Sequence, residues 1–473
     1  ADGGVSPFVA NDRPRVAAAG GSVWITAKSV SGAGAITADA GDNGSAQNSR
    51  IGTGGRIAVV ATDTVAADTL LMSAGYARSW CGGASGTVYW KDGTMTHGKL
   101  GLLNRRVSAS EEFIFGPGCV TPMTSDWTVD GIEVFGPALL AVGGGRTLTL
   151  PNGFASVGST DSKARGGLLV TDGAVAAGSG PQTLQGAWIF AATNFTFNGD
   201  VTVTDRATLG LPILYQSAAP KTVPTDFIAF RCTVNGNLDI QSTGFLRADR
   251  CGLCYSGGEN LPDGIAVHGH GGRDAGSVAY DSYIDPRLPG VDSYSGAFGT
   301  TVNDARLSGG LILLTVTGTF NMDGKSSVQP TSMGTVNGCG AINVRAGRLT
   351  GKGSLSASAN GSHTPGIVAV RLTEPGATFA AWTGKITAYG AKYNGNYYAS
   401  CGTVYEQTGD QQDGFGTLYI DNGGLANTAG YTEFNGRVTD TDVGDVVIRG
   451  GARFRIFDDG ALTVRGSLVN EGT

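Results

Sequence analysis

A block of sequence occurs twice in this chain, and that repeat limits the possible folds more than any single residue does. The first copy holds GGSVWITA (Gly20 to Ala27), GAGAITADA (Gly32 to Ala40), GGRIAVVATD (Gly54 to Asp63), GTVYWKD (Gly86 to Asp92) and GKLGLLN (Gly98 to Asn104). The second holds GCGAINVRAG (Gly338 to Gly347), GKGSLSASAN (Gly351 to Asn360), PGIVAVRLTE (Pro365 to Glu374), GTVYEQT (Gly402 to Thr408) and GTLYIDN (Gly416 to Asn422). The order is the same in both. Each piece is a short strand opened by glycine, and a chain of repeated strand-and-turn units points to a solenoid or a similar array.

Within SVWITA and AINVRA, side chains alternate between two faces, as strands require. The set expected to face inward is small or β-branched, which suits closely stacked coils. Glycine accounts for 78 of the 473 residues, over twice the usual share, with no collagen period. Charged residues make up 15% and hydrophobic residues 41%, which argues against disorder. Ser, Thr, Val, Ala and Gly fill strands and tight turns rather than helices. The net charge is −6 and no basic stripe is present, so no nucleic-acid partner is expected. No apolar run is long enough to span a membrane. The opening ADGGVSPF has no signal-peptide pattern, so a signal has been removed or the chain is a piece of something larger.

Four stretches organise the chain. Residues 1–106 carry the first copy. Residues 107–233 are less regular coils, with strands such as GIEVFG, RTLTLP and DVTVTD breaking at glycine. Residues 234–424 are a complete unit with a long loop at 259–306. Residues 425–473 supply terminal coils, the last of which looks unfinished. ADGG at the other end resembles the close of a strand whose beginning is missing.

The order of motifs resembles a glycine-rich cassette of very large, adhesin-like or filamentous secreted proteins of environmental bacteria. Its counterparts here are His270-Gly271-Gly272-Arg273, Tyr283 to Gly299, Gly309 to Gly324, Gly338 to Asn360, Gly366 to Glu374, Gly384 to Gly390, Gly402 to Tyr405 and Gly416 to Asn422. The first copy matches the second half of the cassette, and the match covers over half of the chain. Several glycine runs are lost, as between Asp42 and Arg50. The resemblance implies a parallel β-helix-like fold and an extracellular role, and it implies no catalytic residues.

Few constellations could carry chemistry. Asp440, Asp442 and Asp445 alternate in TDTDVGD and could offer oxygens to calcium, although glycine and the final Glu are misplaced for an EF-hand. The alternative is a solvated acidic turn. Asp458-Asp459-Gly460 has the form of a hairpin turn. Of the seven cysteines, Cys81, Cys119, Cys232, Cys251, Cys254, Cys339 and Cys401, at least one must be unpaired. Cys251 and Cys254 form a CxxC that is a redox pair, half of a zinc site, a local disulfide or two buried thiols. His268 and His270 lie near Asp263, Arg273 and Asp274, either as a metal or catalytic site or as loop packing. His97 and His363 are isolated.

Parallel β-helices include polysaccharide lyases and hydrolases, which need paired carboxylates or a base with basic partners. The strand charges available are Lys91, Arg345, Arg371, Arg449, Arg453 and Arg455, the last three clustering near the C-terminus. Trp24, Tyr89, Trp90, Tyr397 and Tyr398 could stack on sugars or fill grooves. The expectation is an all-β, right-handed parallel β-helix (β-solenoid), glycine-rich and with variable loops. The expected function is that of a non-enzymatic, extracellular structural subunit, with no cofactor unless calcium. It would assemble head to tail through Ala1–Gly4 and Ala461–Thr473, with a surface polysaccharide as a possible partner. The alternatives are a carbohydrate-active β-helix, either a lyase or a glycan-binding module, and an adhesin stalk.

Overall fold

The computed structural model describes residues 1–2, 18–41, 52–75, 83–105, 120–159, 166–178, 180–191, 194–211, 229–256, 280–294, 308–330, 338–360, 363–393, 397–398, 400–425 and 430–471. Two compact units are present, one built chiefly from residues 1–190 and the other chiefly from 191–203 and 217–473. Among the described residues the regular structure is strand, with two single-turn 3₁₀ segments at Phe154–Ser156 and Phe379–Ala381 and no α-helix. Among the described residues no helix is long and apolar enough to cross a membrane.

Nearly all strand pairs are parallel, and the parallel pairs join strands well separated in the sequence. In the first unit Ser22–Val30 pairs with Arg56–Val65, which pairs with Thr87–Lys91. Beside them Ala35–Thr37 pairs with Leu71–Ser73. Further along, Leu139–Val142 lies between Val120–Pro122 and Gly167–Val170, and Thr147–Leu150 between Trp127–Thr128 and Ala174–Ala177. In the second unit Leu311–Met322, Ala341–Thr350, Ile367–Leu372 and Thr403–Gln407 are successive neighbours. A row of short strands, Phe245–Arg247, Lys325–Ser327, Ser354–Ser356 and Lys385–Thr387, runs alongside.

The two sequence copies have the same topology, strand for strand. Ser22, Arg56 and Thr87 are in register in one, and Ala341, Ile367 and Thr403 in the other. Each copy ends in one antiparallel pair that breaks the parallel pattern: Tyr89 opposite Leu100, and Tyr405 opposite Leu418. The expectation of a parallel β-helix did not place these two hairpins. Parallel pairing resumes after each, to Gly131–Phe135 and to Asp445–Arg449.

The hairpin also moves the core to the other face of the sheet. Before it, Ile57, Val59, Val88 and Trp90 are buried on one face; after it, Leu100, Leu102, Ile132 and Val134 are buried on the face of Tyr89. In the second copy Val368 and Val370 give way to Leu418, Ile420 and Val446, which pack with Tyr405. Reversed strands in a sheet that keeps growing in one direction can preserve the hand of their crossovers only by crossing over the opposite face.

The glycine content has a local cause. The glycine that precedes each long strand donates to a carbonyl at the end of a short strand: Gly55 and Gly86 to Ala38 and Ala74, Gly340, Gly366 and Gly402 to Val328, Ala357 and Ala388. These glycines stack directly on one another. A Cβ on Gly340 would lie 1.7 Å from the Gly310 carbonyl oxygen, and one on Gly55 2.0 Å from that of Gly21. No other residue fits a backbone approach this close.

A polar ladder runs beside that column. The Asp39 carboxylate accepts from Ser73 Oγ at 2.6 Å and Gly75 N at 2.7 Å. Asp249 does the same with Ser327 Oγ and Gln329 N, both at 2.7 Å. Asp2 repeats the pattern with Thr37 Oγ1 at 3.1 Å and Asp39 N at 2.9 Å.

Candidate functional site

The most elaborate side-chain site lies in the second unit, where residues 280–290 of the long loop cover the outward face of the second copy. Residues 259–306 were expected to form a long loop, yet within them Val291–Tyr294 pairs with Leu253–Ser256. The covered face presents Asn343, Ala369, Arg371, Tyr405 and Gln407, one from each alternate position of three neighbouring strands, all buried. Asp285 reaches down to it. Its Oδ1 accepts from Asn343 Nδ2 at 2.7 Å and pairs with Arg371, whose side chain is only 5% exposed. Its Oδ2 accepts from Arg287 at 2.6 Å.

Burial alone would raise the Asp285 carboxyl. The hydrogen bonds from Asn343 and Arg287, with the Arg371 and Arg287 charges, outweigh it and hold the group below the usual carboxylate range. Tyr283 stacks on Phe434 at 5.3 Å between centroids, and Phe434 meets Phe454 edge-on at 4.9 Å. Asp281 has a positive φ of 71° and accepts from Arg287 N and Leu288 N, both at 2.6 Å. Burial pushes its carboxyl up.

The three aspartates singled out for calcium each have protein partners. Asp440 Oδ2 accepts from Ser282 Oγ at 2.7 Å and Ile284 N at 3.0 Å, fastening the loop segment down. Asp442 Oδ1 accepts from Arg465 Nε at 2.7 Å. Asp445 Oδ1 accepts from Ser467 N and Oγ, both at 2.7 Å, and these bonds hold its carboxyl low. Among the described residues no group of three or more His, Cys, Asp or Glu side chains is placed to hold a metal ion.

The three C-terminal arginines do not form one cluster. Arg449 pairs with Asp421 at 2.8 Å and lies over the Tyr419 ring, whereas Arg453 and Arg455 both lie over Tyr431. Arg455 also pairs with Glu433, which is buried. Asp458 and Asp459 turn the chain between Phe454–Ile456 and Thr463–Val464, which lie in different sheets, so the turn is not a hairpin. Near Arg449 lies a group that sequence reasoning missed. Burial pushes the Glu406 carboxyl up to about 7, against the Arg449 charge and a hydrogen bond with Tyr419. GTVYEQT gives no sign of this, because only the hairpin sets Glu406 beside Tyr419 and Arg449.

Cys232, Cys251, Cys339 and Cys401 are free thiols, and burial raises the pKa of each. Cys251 therefore forms no disulfide with Cys254. His268, His270, Asp263, Arg273, Asp274, Cys81 and Cys119 lie outside the described residues, as do the side chains of Tyr397, Tyr398 and Cys254. His363 is buried, and this lowers its pKa. Trp90 is buried in the first core, while Trp24 is 77% exposed. Comparison of the chain with protein-family models, curated protein sequences and solved structures returns no match.

Proposed function

We propose that this chain is a non-enzymatic, extracellular structural protein. In this reading its stacked coils are right-handed parallel β-helix, and copies assemble head to tail into a filament, sheath or adhesive layer. One observation carries the reading: in both units, strands with apolar side chains have an edge that no described strand covers. Of the five large hydrophobic residues exposed among the described residues, three, Ile456, Leu468 and Val469, sit on strands Phe454–Ile456 and Leu468–Asn470. Among the described residues each of these strands pairs on one side only. In the first unit Ser22–Val30 and Ala35–Thr37 likewise each pair with one described strand, and Val23, Ile25 and Ile36 are half-buried.

Such edges template pairing with another chain. The first unit offers a seat for it. Ala1 N donates to Thr37 O at 2.9 Å and Ala1 O accepts from Gly21 N, as Ala38 does with Ser73 and Gly55 one coil on. A strand laid along Ala35–Thr37 would continue both the ladder and the glycine column. A contact between two different surfaces does not close on itself unless it forms a ring, so it yields a filament.

The test is assembly of the intact chain, followed by negative-stain microscopy and sedimentation. Wild-type protein should polymerise. Leu468→Lys, and deletion of residues 461–473, should give folded monomers by circular dichroism and sedimentation. Normal polymers from both variants, or a monodisperse wild-type monomer at high concentration, would remove this reading. The exposed Trp24 favours glycan binding as a second reading, and its site can be specified.

A further inference from the structure

We propose that the outward face of Ser22–Val30, Arg56–Val65 and Thr87–Lys91 is a platform for an extended, β-1,4-linked polysaccharide, with Trp24 and Tyr89 as its stacking rings. The inference goes beyond the assembly reading and stands independently of it. Register fixes the geometry. Trp24 lies opposite Ala58, and Ala58 opposite Tyr89, so one small residue separates two rings on the same face. The backbone positions that carry them are two strand spacings apart, about 9.6 Å. That is about the length of a disaccharide, so two rings at this spacing meet alternate sugars of an extended chain. Alanine between them leaves room for the sugar in the middle.

Both rings are held before any ligand arrives. Trp24 Nε1 donates to Thr26 Oγ1 at 3.0 Å, and Tyr89 Oη to His97 O at 2.7 Å. Ordering that is already present lowers the entropic cost of binding. An indole 77% exposed on a flat sheet gives water a large apolar surface, which the C–H face of a pyranose can cover.

The rows on either side carry polar groups, with Val60 the exception. Ser22, Arg56 and Thr87 are in register on one side, and Thr26, Val60 and Lys91 on the other. Hydroxyl, guanidinium and ammonium groups suit the ring hydroxyls of a glycan. Lys28, Arg56 and Lys91 outnumber Asp63, which sits 3.8 Å from Lys28, and Asp130, which lies near Tyr89, so a glycan carrying carboxylates should bind more tightly than a neutral one.

The second copy shows what this face is not built for. The positions of Trp24 and Val60 are taken there by Asn343 and Arg371, which grip Asp285 of the covering segment. Trp24 Nε1 is already bonded to Thr26 and the Val60 isopropyl group has no donor, so the first copy lacks this grip on a carboxylate.

The intact protein should be titrated by calorimetry with a β-1,4-linked mannuronate hexamer and with cellohexaose, its neutral counterpart. Both should bind, the uronate more tightly at low salt, with the difference shrinking as salt rises. Trp24→Ala should raise Kd roughly tenfold for both, Trp24→Tyr should restore most of it, and Arg56→Ala should remove only the uronate's advantage. Circular dichroism confirms that the variants fold. The proposal is overturned if neither oligomer binds at millimolar concentration or if Trp24→Ala binds as wild type does. It is equally overturned if Trp24→Ala abolishes polymerisation while glycan affinity holds, since the face would then be a contact between copies. Failure of the assembly reading alone leaves the glycan titrations unchanged.

Discussion

The two copies share one backbone and differ in what covers it. Both have the same six strands, the same closing hairpin and the same glycine column. In the second copy the outward face is buried beneath residues 280–290 and carries a buried Arg371 that needs Asp285. In the first, that face is open and carries Trp24, Ala58 and Val60 instead. A second difference lies on the opposite face of the hairpin: Trp90, buried and apolar, occupies the place of Glu406. The backbone is therefore specified by residues at the corners and in the core, and the surface is free to be closed by the chain itself or left to bind something else.

The largest expected effect tests the shared part. Gly340→Ala and Gly55→Ala should each destabilise their unit by about 4 kcal/mol, because a Cβ meets a backbone carbonyl that cannot turn away. Chemical denaturation measures it, and a cost below about 1 kcal/mol in either copy would break the claim that both share one column. Asp285→Ala comes next. It leaves Arg371 buried without its carboxylate and should cost about 3 kcal/mol. Val60→Ala at the equivalent place should cost about 1 kcal/mol. Equal costs would mean that the covering segment contributes nothing.

Glu406 should give a smaller effect with a definite sign. Its folded-state pKa is raised above the unfolded value, so its contribution is full below pH 4.5 and is lost as pH rises through about 7. Between pH 5 and pH 8 the wild type should lose about 2 kcal/mol relative to Glu406→Gln. Matched denaturation curves at the two pH values would show it; parallel pH dependence of the two proteins would contradict it. Asp285 works the other way, its contribution being lost as pH falls below the ordinary carboxylate range. The smallest effect expected is from chelation. Asp440, Asp442 and Asp445 accept protein hydrogen bonds, so excess chelator should leave the melting temperature unchanged. A fall of several degrees would place a cation there, since loss of a ligand bound only to the folded state must destabilise it.

The sequence made the strands legible because alternation and glycine punctuation are local signals. SVWITA, RIAVVATD, AINVRAG and IVAVRL are strands where their patterns place them. The repeat itself predicted equivalence strand by strand. The antiparallel pairs were not visible, because TVYWK and KLGLL look the same whichever way they pair. The covering segment was hidden for a related reason. Asp285 and Arg371 are 86 residues apart, and no local pattern marks their pairing. Asp440 was noticed for its charge but not for its role, since the acceptor in an ordered loop contact has the same sequence signature as a solvated turn.

The glycine column also sets where the chain can change length. Sixteen residues separate Ala38 from Gly55, and eight separate Ala357 from Gly366, yet both gaps close through the same glycine-to-alanine hydrogen bond. Insertions and deletions at this corner leave the pitch of the stack untouched, because the two ends of any such loop are already fixed side by side. A graft placed between Gly41 and Gly52, clear of the Asp39 ladder, should therefore be carried without loss of folding. The same number of residues inserted within Arg56–Val65 would slip its register against both neighbours.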